Sequence, residues 1–146
     1  MTTSIIDIDR PPDEVFAYVT DPSHFVEWQR GVVSGHMDTS GPPTVGSKCV
    51  TARKIGFAVR TDTSAVTHVD PPRTWGVRGI DGPIRALVEV AVDALDGGRR
   101  STVRIDLDFE GHGVGRLLVP IAVRPQAARE MPANLKRLKE RLESKS

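Results

Sequence analysis

The alternation of apolar and polar residues is clearest in two segments of the second half of the chain, Ile84–Leu95 and Arg100–Glu110, and it predicts a β-hairpin. Gly97 and Gly98 lie between them and suit a two-residue turn, in which both residues need a positive φ. The turn sets a register with four apolar pairs on one face: Val92 with Val103, Val90 with Ile105, Val88 with Leu107 and Ala86 with Phe109. The opposite face pairs Arg85 with Glu110, which is favourable, and Glu89 with Asp106, which is mildly unfavourable.

Shorter segments of β-type composition predict five more strands, separated by segments rich in Gly and Pro. Their predicted ranges are Thr3–Asp9, Val32–Met37, Lys48–Lys54, Phe57–Val69 and Trp75–Ile80. Asp70-Pro71-Pro72-Arg73 is predicted to be a turn, because neither proline can donate a hydrogen bond to a neighbouring strand.

Two short helices are predicted between the first two strands, and a long helix is predicted at the end of the chain. Pro11 and Pro12 stop the first strand and suit a helix start, while Asp21 and Pro22 suit an N-cap and the first residue of the second helix. Apolar residues then recur at three- and four-residue steps from Leu117 to Leu142. Pro120, Pro125 and Pro132 interrupt this pattern, so we expect a bent helix.

Composition narrows the class of protein. With 146 residues the chain is expected to form one domain, 1–146, and a net charge of +1 gives no general attraction to nucleic acid. No apolar run reaches the ~20 residues needed to cross a bilayer, so no stable membrane insertion is expected. The single cysteine, Cys49, excludes an internal disulfide, and the N-terminus lacks the features of a signal peptide. A cytoplasmic location is the resulting expectation.

The chain resembles the SRPBCC superfamily, also called START-like or birch-pollen-allergen-like, and within it the bacterial polyketide cyclase/dehydrase branch. The residues that carry the resemblance are Pro11-Pro12-Asp13-Glu14-Val15-Phe16, Asp21-Pro22, Trp28, Asp70-Pro71-Pro72-Arg73, Asp96-Gly97-Gly98 and the helix end from Met131 to Leu142. The resemblance implies an α+β helix-grip fold: a seven-stranded curved antiparallel sheet wrapped around a long bent C-terminal helix, with two short helices between strands 1 and 2. It does not fix a reaction, because the superfamily includes lipid carriers, hormone receptors and aromatases.

One helix is too little to fill the concave side of such a sheet, so a cavity is expected between sheet and helix. We expect it to bind a hydrophobic small molecule of the lipid, polyketide or isoprenoid type, without a cofactor. The candidate ligand-binding residues are Phe25, Trp28, Cys49, Thr51, Arg53, Phe57, Val59, Thr61, Trp75, Val88, Val90, Ile105, Leu107, Leu118 and Ile121. Arg53 follows Cys49 and Thr51 on alternate positions and is the candidate for orienting a ligand oxygen.

Two other functions remain open. The family branch implies an aromatase or cyclase acting on a bound poly-ketone, which would need a proton donor or acceptor. Polar candidates for that role are Tyr18, Arg53, Asp62 and His68, none of them in a recognisable catalytic spacing. The third function is that of a scaffold or stress protein acting through its surface or by dimerisation, so both a monomer and a homodimer remain open.

Other polar patterns are interpreted structurally. The four histidines, His24, His36, His68 and His112, lack metal-ligand spacing, so no metal is expected. Asp106, Asp108 and Glu110 alternate with the apolar face of the hairpin and are expected to face water. Gly111-His112-Gly113-Val114-Gly115 lacks the context of a phosphate-binding loop and is interpreted as a strand-to-helix link. Cys49, without a partner in a triad spacing, is expected to be a small buried apolar residue.

Overall fold

The computed structural model describes residues 1–55 and 57–144, which form seven strands and a set of helices. The strands are β1 (Thr2–Ile8), β2 (Val32–Met37), β3 (Lys48–Ile55), β4 (Ala58–Asp70), β5 (Thr74–Gly79), β6 (Ile84–Leu95) and β7 (Arg100–Gly111). The helices are α1 (Pro12–Val19), α2 (Phe25–Trp28), α3 (Gly115–Leu118) and α4 (Arg124–Glu143). The predicted order of elements is therefore confirmed.

All seven strands form one curled antiparallel sheet in the order β1-β7-β6-β5-β4-β3-β2, and the helices pack on its concave side. The predicted register of β6 and β7 is confirmed at all four apolar pairs, from Val92 with Val103 to Ala86 with Phe109. The predicted strand ends at this turn are confirmed, because Leu95 pairs with Arg100 and Asp96–Arg99 form the loop. The backbone of the turn differs from a two-residue turn built on the glycines, because Asp96 joins Gly97 and Gly98 in having a positive φ.

The short helices begin where the prolines and the acidic cap predict. Pro12 is the first residue of α1, and Asp13 and Glu14 place negative charge in its first turn. Asp21 Oδ1 accepts a hydrogen bond from the backbone N–H of Ser23 at 3.0 Å and so caps the 3-10 turn Pro22–His24, which leads directly into α2.

The C-terminal helical segment runs without a break from 115 to 143, because a π-helical turn, Val119–Val123, joins α3 to α4. This turn contains Pro120, while Pro132 lies inside α4. The far end of α4 is fixed to the end of β1. Glu143 Oε2 accepts from the backbone N–H of Asp9 at 2.9 Å, and Lys139 Nζ donates to Asp7 O at 2.8 Å.

The outer face of the sheet carries several ion pairs. The three carboxylates of Asp106, Asp108 and Glu110 bind arginines: Asp106 binds Arg104, Asp108 binds Arg124, and Glu110 binds Arg78 of β5. Arg85 lies opposite Glu110 in the register, but its Nε donates to Gly82 O instead. Within the part of the chain that the structure describes, no helix is both long and apolar enough to cross a membrane.

Candidate ligand-binding site

The concave face of the sheet divides into two halves that differ in burial. Near α1, α2 and the end of α4, inward side chains are fully buried, and we call this region the packed half. Its strand residues are Ile8, Trp75, Val77, Val90, Val92, Val103 and Ile105. They contact helix residues such as Val15, Phe25 and Leu138, so this half is filled by the protein's own side chains.

The other half lies where β6 begins and β7 ends, and its apolar side chains remain only half-buried. We call it the open half, and it consists of Ile84, Ala86, Val88, Leu107 and Phe109. Val119, in the π-helical turn, is buried and lines the same groove as Phe109. The open half thus presents an incompletely covered apolar surface beneath the start of the C-terminal helical segment.

A polar group adjoins the open half on β3 and β4. Thr51 pairs with Asp62, and Arg53, two residues further along β3, points to the same concave side. Arg53 Nη2 donates to Gln29 Oε1 at 3.4 Å, which links the strand to the end of α2. Ser64 continues this row toward β5, where its partner is Gly79, which contributes no side chain.

Burial and mutual attraction oppose each other in the Arg53 and Asp62 pair. Burial lowers the pKa of the Arg53 guanidinium and raises the pKa of the Asp62 carboxyl. The opposite charge of each residue counteracts the shift in the other, while Asp81 raises the pKa of Asp62 further. The Arg53 guanidinium and the Asp62 carboxyl group therefore both lie on the concave side, in surroundings that are less polar than water.

Cys49 lies beside this group and is buried, with 3% of its surface exposed. Burial raises the pKa of its thiol to about 11, and the nearby Arg53 opposes that shift only in part. The thiol is therefore protonated at neutral pH, which is unfavourable for a nucleophile.

Two of the polar candidates for proton transfer lie away from the open half. Tyr18 is buried and donates its hydroxyl hydrogen bond to Glu27 Oε1 at 2.6 Å, and burial raises the pKa of its hydroxyl. His68 lies on the outer face of the sheet, where it contacts Glu89. In the described residues no group of three or more His, Cys, Asp and Glu side chains is arranged to hold a metal ion.

The structure separates the predicted site residues into five sets. The buried apolar residues in or against the packed half are Phe25, Trp28, Trp75, Val90 and Ile105. The polar side consists of Cys49, Thr51 and Arg53. The open half contains Val88 and Leu107. Val59 and Thr61 lie on the outer face, because Val59 pairs with Lys54 and Thr61 with Ala52. Phe57, Leu118 and Ile121 are exposed at the end of the sheet beside the open half.

Sequence reasoning missed several residues that the structure brings to the site. Ala86 and Phe109 already share the apolar face of the predicted hairpin, so that register was a usable signal for them. Gln29 and Ser64 had no such signal. Gln29 reaches Arg53 only through the packing of α2, and Ser64 faces inward only through its pairing with Cys49.

Two buried indole N–H groups add unused donors on this side of the sheet. Trp28 and Trp75 are 3% and 2% exposed, and within the described residues neither indole N–H has a hydrogen-bond acceptor. Phe25 lies between them, with ring centroids 5.9 Å from Trp28 and 6.5 Å from Trp75. An unpaired buried donor costs about 1–3 kcal/mol, and both indoles lie in the core cluster, away from the open half.

Two open grooves flank the C-terminal helical segment. One of about 500 Å³ is lined by Phe109, Glu110, Gly111, His112, Arg116, Val119, Pro120 and Arg124. The other, of about 380 Å³, is lined by Arg30, Gln126, Arg129, Glu130, Ala133 and Arg137. Of the residues of the open half, Phe109 lines the first groove.

Sequence comparison identifies one family. A family model described as polyketide cyclase / dehydrase and lipid transport matches residues 1–143. No curated protein matches the chain at a significant level of similarity.

Comparison with solved structures gives many neighbours at low identity. The Zhui aromatase/cyclase from Streptomyces sp. R1128 has a TM-score of 0.78 at 15% identity, with 97% of this chain and 92% of that chain covered. A START superfamily protein from Mycobacterium smegmatis has a TM-score of 0.74 at 15% identity, covering 97% and 96%. Ara h 8.0201 has a TM-score of 0.71 at 13% identity, covering 99% and 97%. At these identities the likeness establishes a shared helix-grip fold.

Proposed function

We propose that this chain, which belongs to the polyketide cyclase/dehydrase and lipid transport family, binds a hydrophobic small molecule on the open half of its concave face. The observation that carries the proposal is the difference in burial along β6 and β7. Val90 and Ile105 are 3% exposed, whereas their neighbours Val88 and Leu107 are only half-buried. A ligand of lipid, polyketide or isoprenoid type would complete the cover of this surface.

Arg53 gives the proposed site its polar preference. Its guanidinium faces the concave side in the polar group that adjoins the apolar open half, and a keto, hydroxyl or carboxylate oxygen of the ligand would accept a hydrogen bond from it. Pockets of this kind combine a mostly apolar lining with a few polar groups that orient the ligand. The preferred ligand is therefore an elongated or planar apolar molecule with an oxygen at one end.

A pair of matched substitutions on one strand tests where the ligand binds. Ala86→Trp fills the open half, while Ala94→Trp adds the same side chain on the same strand at the exposed far end. We expect calorimetric titration with a fatty acid, an isoprenoid alcohol and an aromatic polyketone to detect binding of at least one. Ala86→Trp should weaken that binding at least about tenfold, and Ala94→Trp should leave it unchanged.

The proposal fails if none of the three probes binds the wild-type protein or raises its melting temperature, as a ligand specific for the folded state must. It fails equally if Ala86→Trp binds as tightly as Ala94→Trp, because the ligand would then lie elsewhere.

A second candidate function is that of an aromatase or cyclase. It is favoured by the Arg53 and Asp62 pair, since the raised pKa of the Asp62 carboxyl suits a group that exchanges a proton with a bound poly-ketone. Incubation with a carrier-linked poly-β-ketone tests this function through its product distribution. We expect Asp62→Asn to abolish any change in products while poly-ketone binding remains, and an unchanged distribution with the wild type would remove the enzymatic function.

A further inference from the structure

Exposed apolar side chains concentrate at the end of the sheet beside the open half. Twelve large apolar side chains are exposed among the described residues, and seven of them lie in the β3–β4 turn, at the start of β4, beside the β5–β6 turn or between 114 and 121. We call these seven the apolar end surface: Phe57, Val59, Ile80, Val114, Leu117, Leu118 and Ile121. Phe57, in the β3–β4 turn, is fully exposed, and Ile121 in the π-helical turn is 75% exposed.

The segments that carry this surface adjoin one another. The β5–β6 turn lies beside the β3–β4 hairpin, since the position of a side chain at Gly82 is 3.7 Å from Arg60 Nη2. On its other side, Pro83 O accepts a hydrogen bond from the backbone N–H of His112 at 2.8 Å. Gly115, which begins α3, packs so closely on Pro83 that a Cβ there would lie 1.9 Å from the Pro83 carbonyl oxygen. The β3–β4 turn, the β5–β6 turn and the start of the C-terminal helical segment therefore adjoin one another, and the seven apolar side chains lie on them or next to them.

Positive charge accompanies these apolar residues. Lys54, Arg60, Arg85 and Arg116 lie next to these turns, in β3, β4, β6 and α3, and within the described residues none of them forms an ion pair within 4 Å, although Arg60 attracts Asp62 at longer range. The carboxylates of Asp108 and Glu110 at this end are already neutralised by Arg124 and Arg78. Asp81 is the exposed acidic residue here, and its Oδ1 accepts a hydrogen bond from the backbone N–H of Thr63.

We propose that the apolar end surface docks on an anionic lipid membrane, with Phe57 and the exposed residues of 114–121 entering the headgroup region. Exposed apolar side chains on two adjoining turns, on the start of β4 and on the start of the C-terminal helical segment, accompanied by cations that form no close ion pair, match a surface that is apolar inside and negatively charged outside. A second copy of this chain is a poorer occupant, because the same cations would then face each other.

This proposal does not depend on the ligand proposal, because docking requires only the exposed surface. The two are linked by position: the groove that reaches Phe109 is also lined by Arg116, which lies on the docking side. Docking would thus place the open half next to the membrane, where apolar molecules are dissolved.

Vesicle sedimentation tests the docking. Vesicles of phosphatidylcholine containing about one third phosphatidylglycerol present the required negative charge, and vesicles of pure phosphatidylcholine do not. We expect the protein to sediment with the first and not with the second. Binding should weaken as salt is raised, because screening shortens the range of the attraction.

Matched variants locate the contact. Phe57→Ser should weaken vesicle binding about tenfold, while Val45→Ser, at another exposed apolar residue on the opposite end of the sheet, should not. Arg116→Gln should weaken binding about fivefold, and Arg99→Gln, in the β6–β7 turn at the far end, should have no effect. All four residues are exposed, and circular dichroism and melting curves check that the variants remain folded.

Three results would overturn the docking proposal: no sedimentation with either vesicle, equal binding by Phe57→Ser and Val45→Ser, or equal binding to charged and uncharged vesicles. A fourth is binding to an acidic protein that depends on Phe57 and Arg116 without any binding to vesicles, which would assign the surface to a protein partner. Loss of binding to the three small-molecule probes would leave this proposal untouched.

Discussion

The charge of Arg53 controls the protonation of its neighbour across the strands. Since this guanidinium lowers the pKa of the Asp62 carboxyl against the effect of burial, Arg53→Met should raise the pKa of Asp62 further above its ordinary value. Arg60→Met provides the comparison, because Arg60 also lowers the pKa of Asp62 but does so less than Arg53. Titration of the Asp62 carboxyl carbon by NMR measures both shifts. A pKa that falls or stays constant in Arg53→Met would contradict the arrangement described for this pair.

The thiol of Cys49 should be inert in the folded protein. Because burial raises its pKa to about 11, almost no thiolate is present at pH 7.5, and the buried sulfur is also shielded from reagents. We expect iodoacetamide to label the folded protein much more slowly than the urea-unfolded protein, as followed by mass spectrometry. Equal labelling rates in the two states would mean that Cys49 is accessible.

Individual inward-facing residues were predictable only where a strand has a clear alternation. Arg53 shares its phase with Cys49 and Thr51, and the structure places all three on the concave side. In β4 both phases are mixed in polarity, so the sequence could not tell that Asp62 faces inward and Thr61 outward. His68 has the even numbering of the inward residues, but a bulge between Val66 and His68 reverses the phase and places it outside.

The C-terminal helical segment contributes unequally along its length. Leu138 is fully buried in the packed half, so Leu138→Ala should lower the free energy of unfolding by about 3 kcal/mol. Leu117 is 68% exposed, so Leu117→Ala should change the free energy of unfolding by less than about 0.5 kcal/mol. Urea unfolding of the two variants measures the difference. Equal losses would mean that the start of the segment is packed as firmly as its end.

The contact between Glu143 and β1 makes the end of α4 sensitive to acid. Hydrogen bonds from Lys139 and from the backbone of Asp9 lower the pKa of the Glu143 carboxyl. Its ionised form therefore stabilises the folded state above the ordinary glutamate pKa, and this stabilisation is lost as the pH falls through the lowered value.

Glu143→Gln tests this pH dependence. At pH 7 the variant should lose at most about 1 kcal/mol, since the pair is partly exposed to solvent. The difference from the wild type should vanish as the pH falls below the lowered pKa of Glu143. Glu140→Gln, on the exposed side of the same helix, serves as the control, and melting curves at several pH values provide the measurement. A constant difference at all pH values would contradict the ionic origin.

At the level of elements, local signals gave most of the fold. Turn glycines and alternation in β6 and β7 agree on one register, and prolines mark the starts of α1 and of the 3-10 turn before α2. The ends of β6 and β7 at their turn are also as predicted, but the positive φ of Asp96 is not, because the alternation and the two glycines favour positive φ at Gly97 and Gly98 alone. The exposure of the start of the C-terminal segment was not predictable, since its apolar residues follow the same spacing as those of the buried end.

The molecule as a whole should be most stable at one end. Amides of the packed half lie in strands covered by buried side chains, whereas those at the β6 start and β7 end belong to the half-buried open half. Native-state hydrogen exchange should therefore be slowest around Val92 and Val103 and faster around Ala86 and Phe109, although all four lie in paired strands. Equal protection of all β6 amides from exchange would contradict this prediction, because it would show that both halves of the concave face are equally stable.

Both tryptophans of the chain, Trp28 and Trp75, lie buried beside Phe25 at the filled end of the molecule. Intrinsic emission consequently reports on that end, and an occupant seated near Phe109 would leave the spectrum almost unaltered. A fluorescence screen of the native chain would then miss genuine binders. Phe109→Trp would place an indole where the ligand is expected to bind, so that binding would change the fluorescence spectrum.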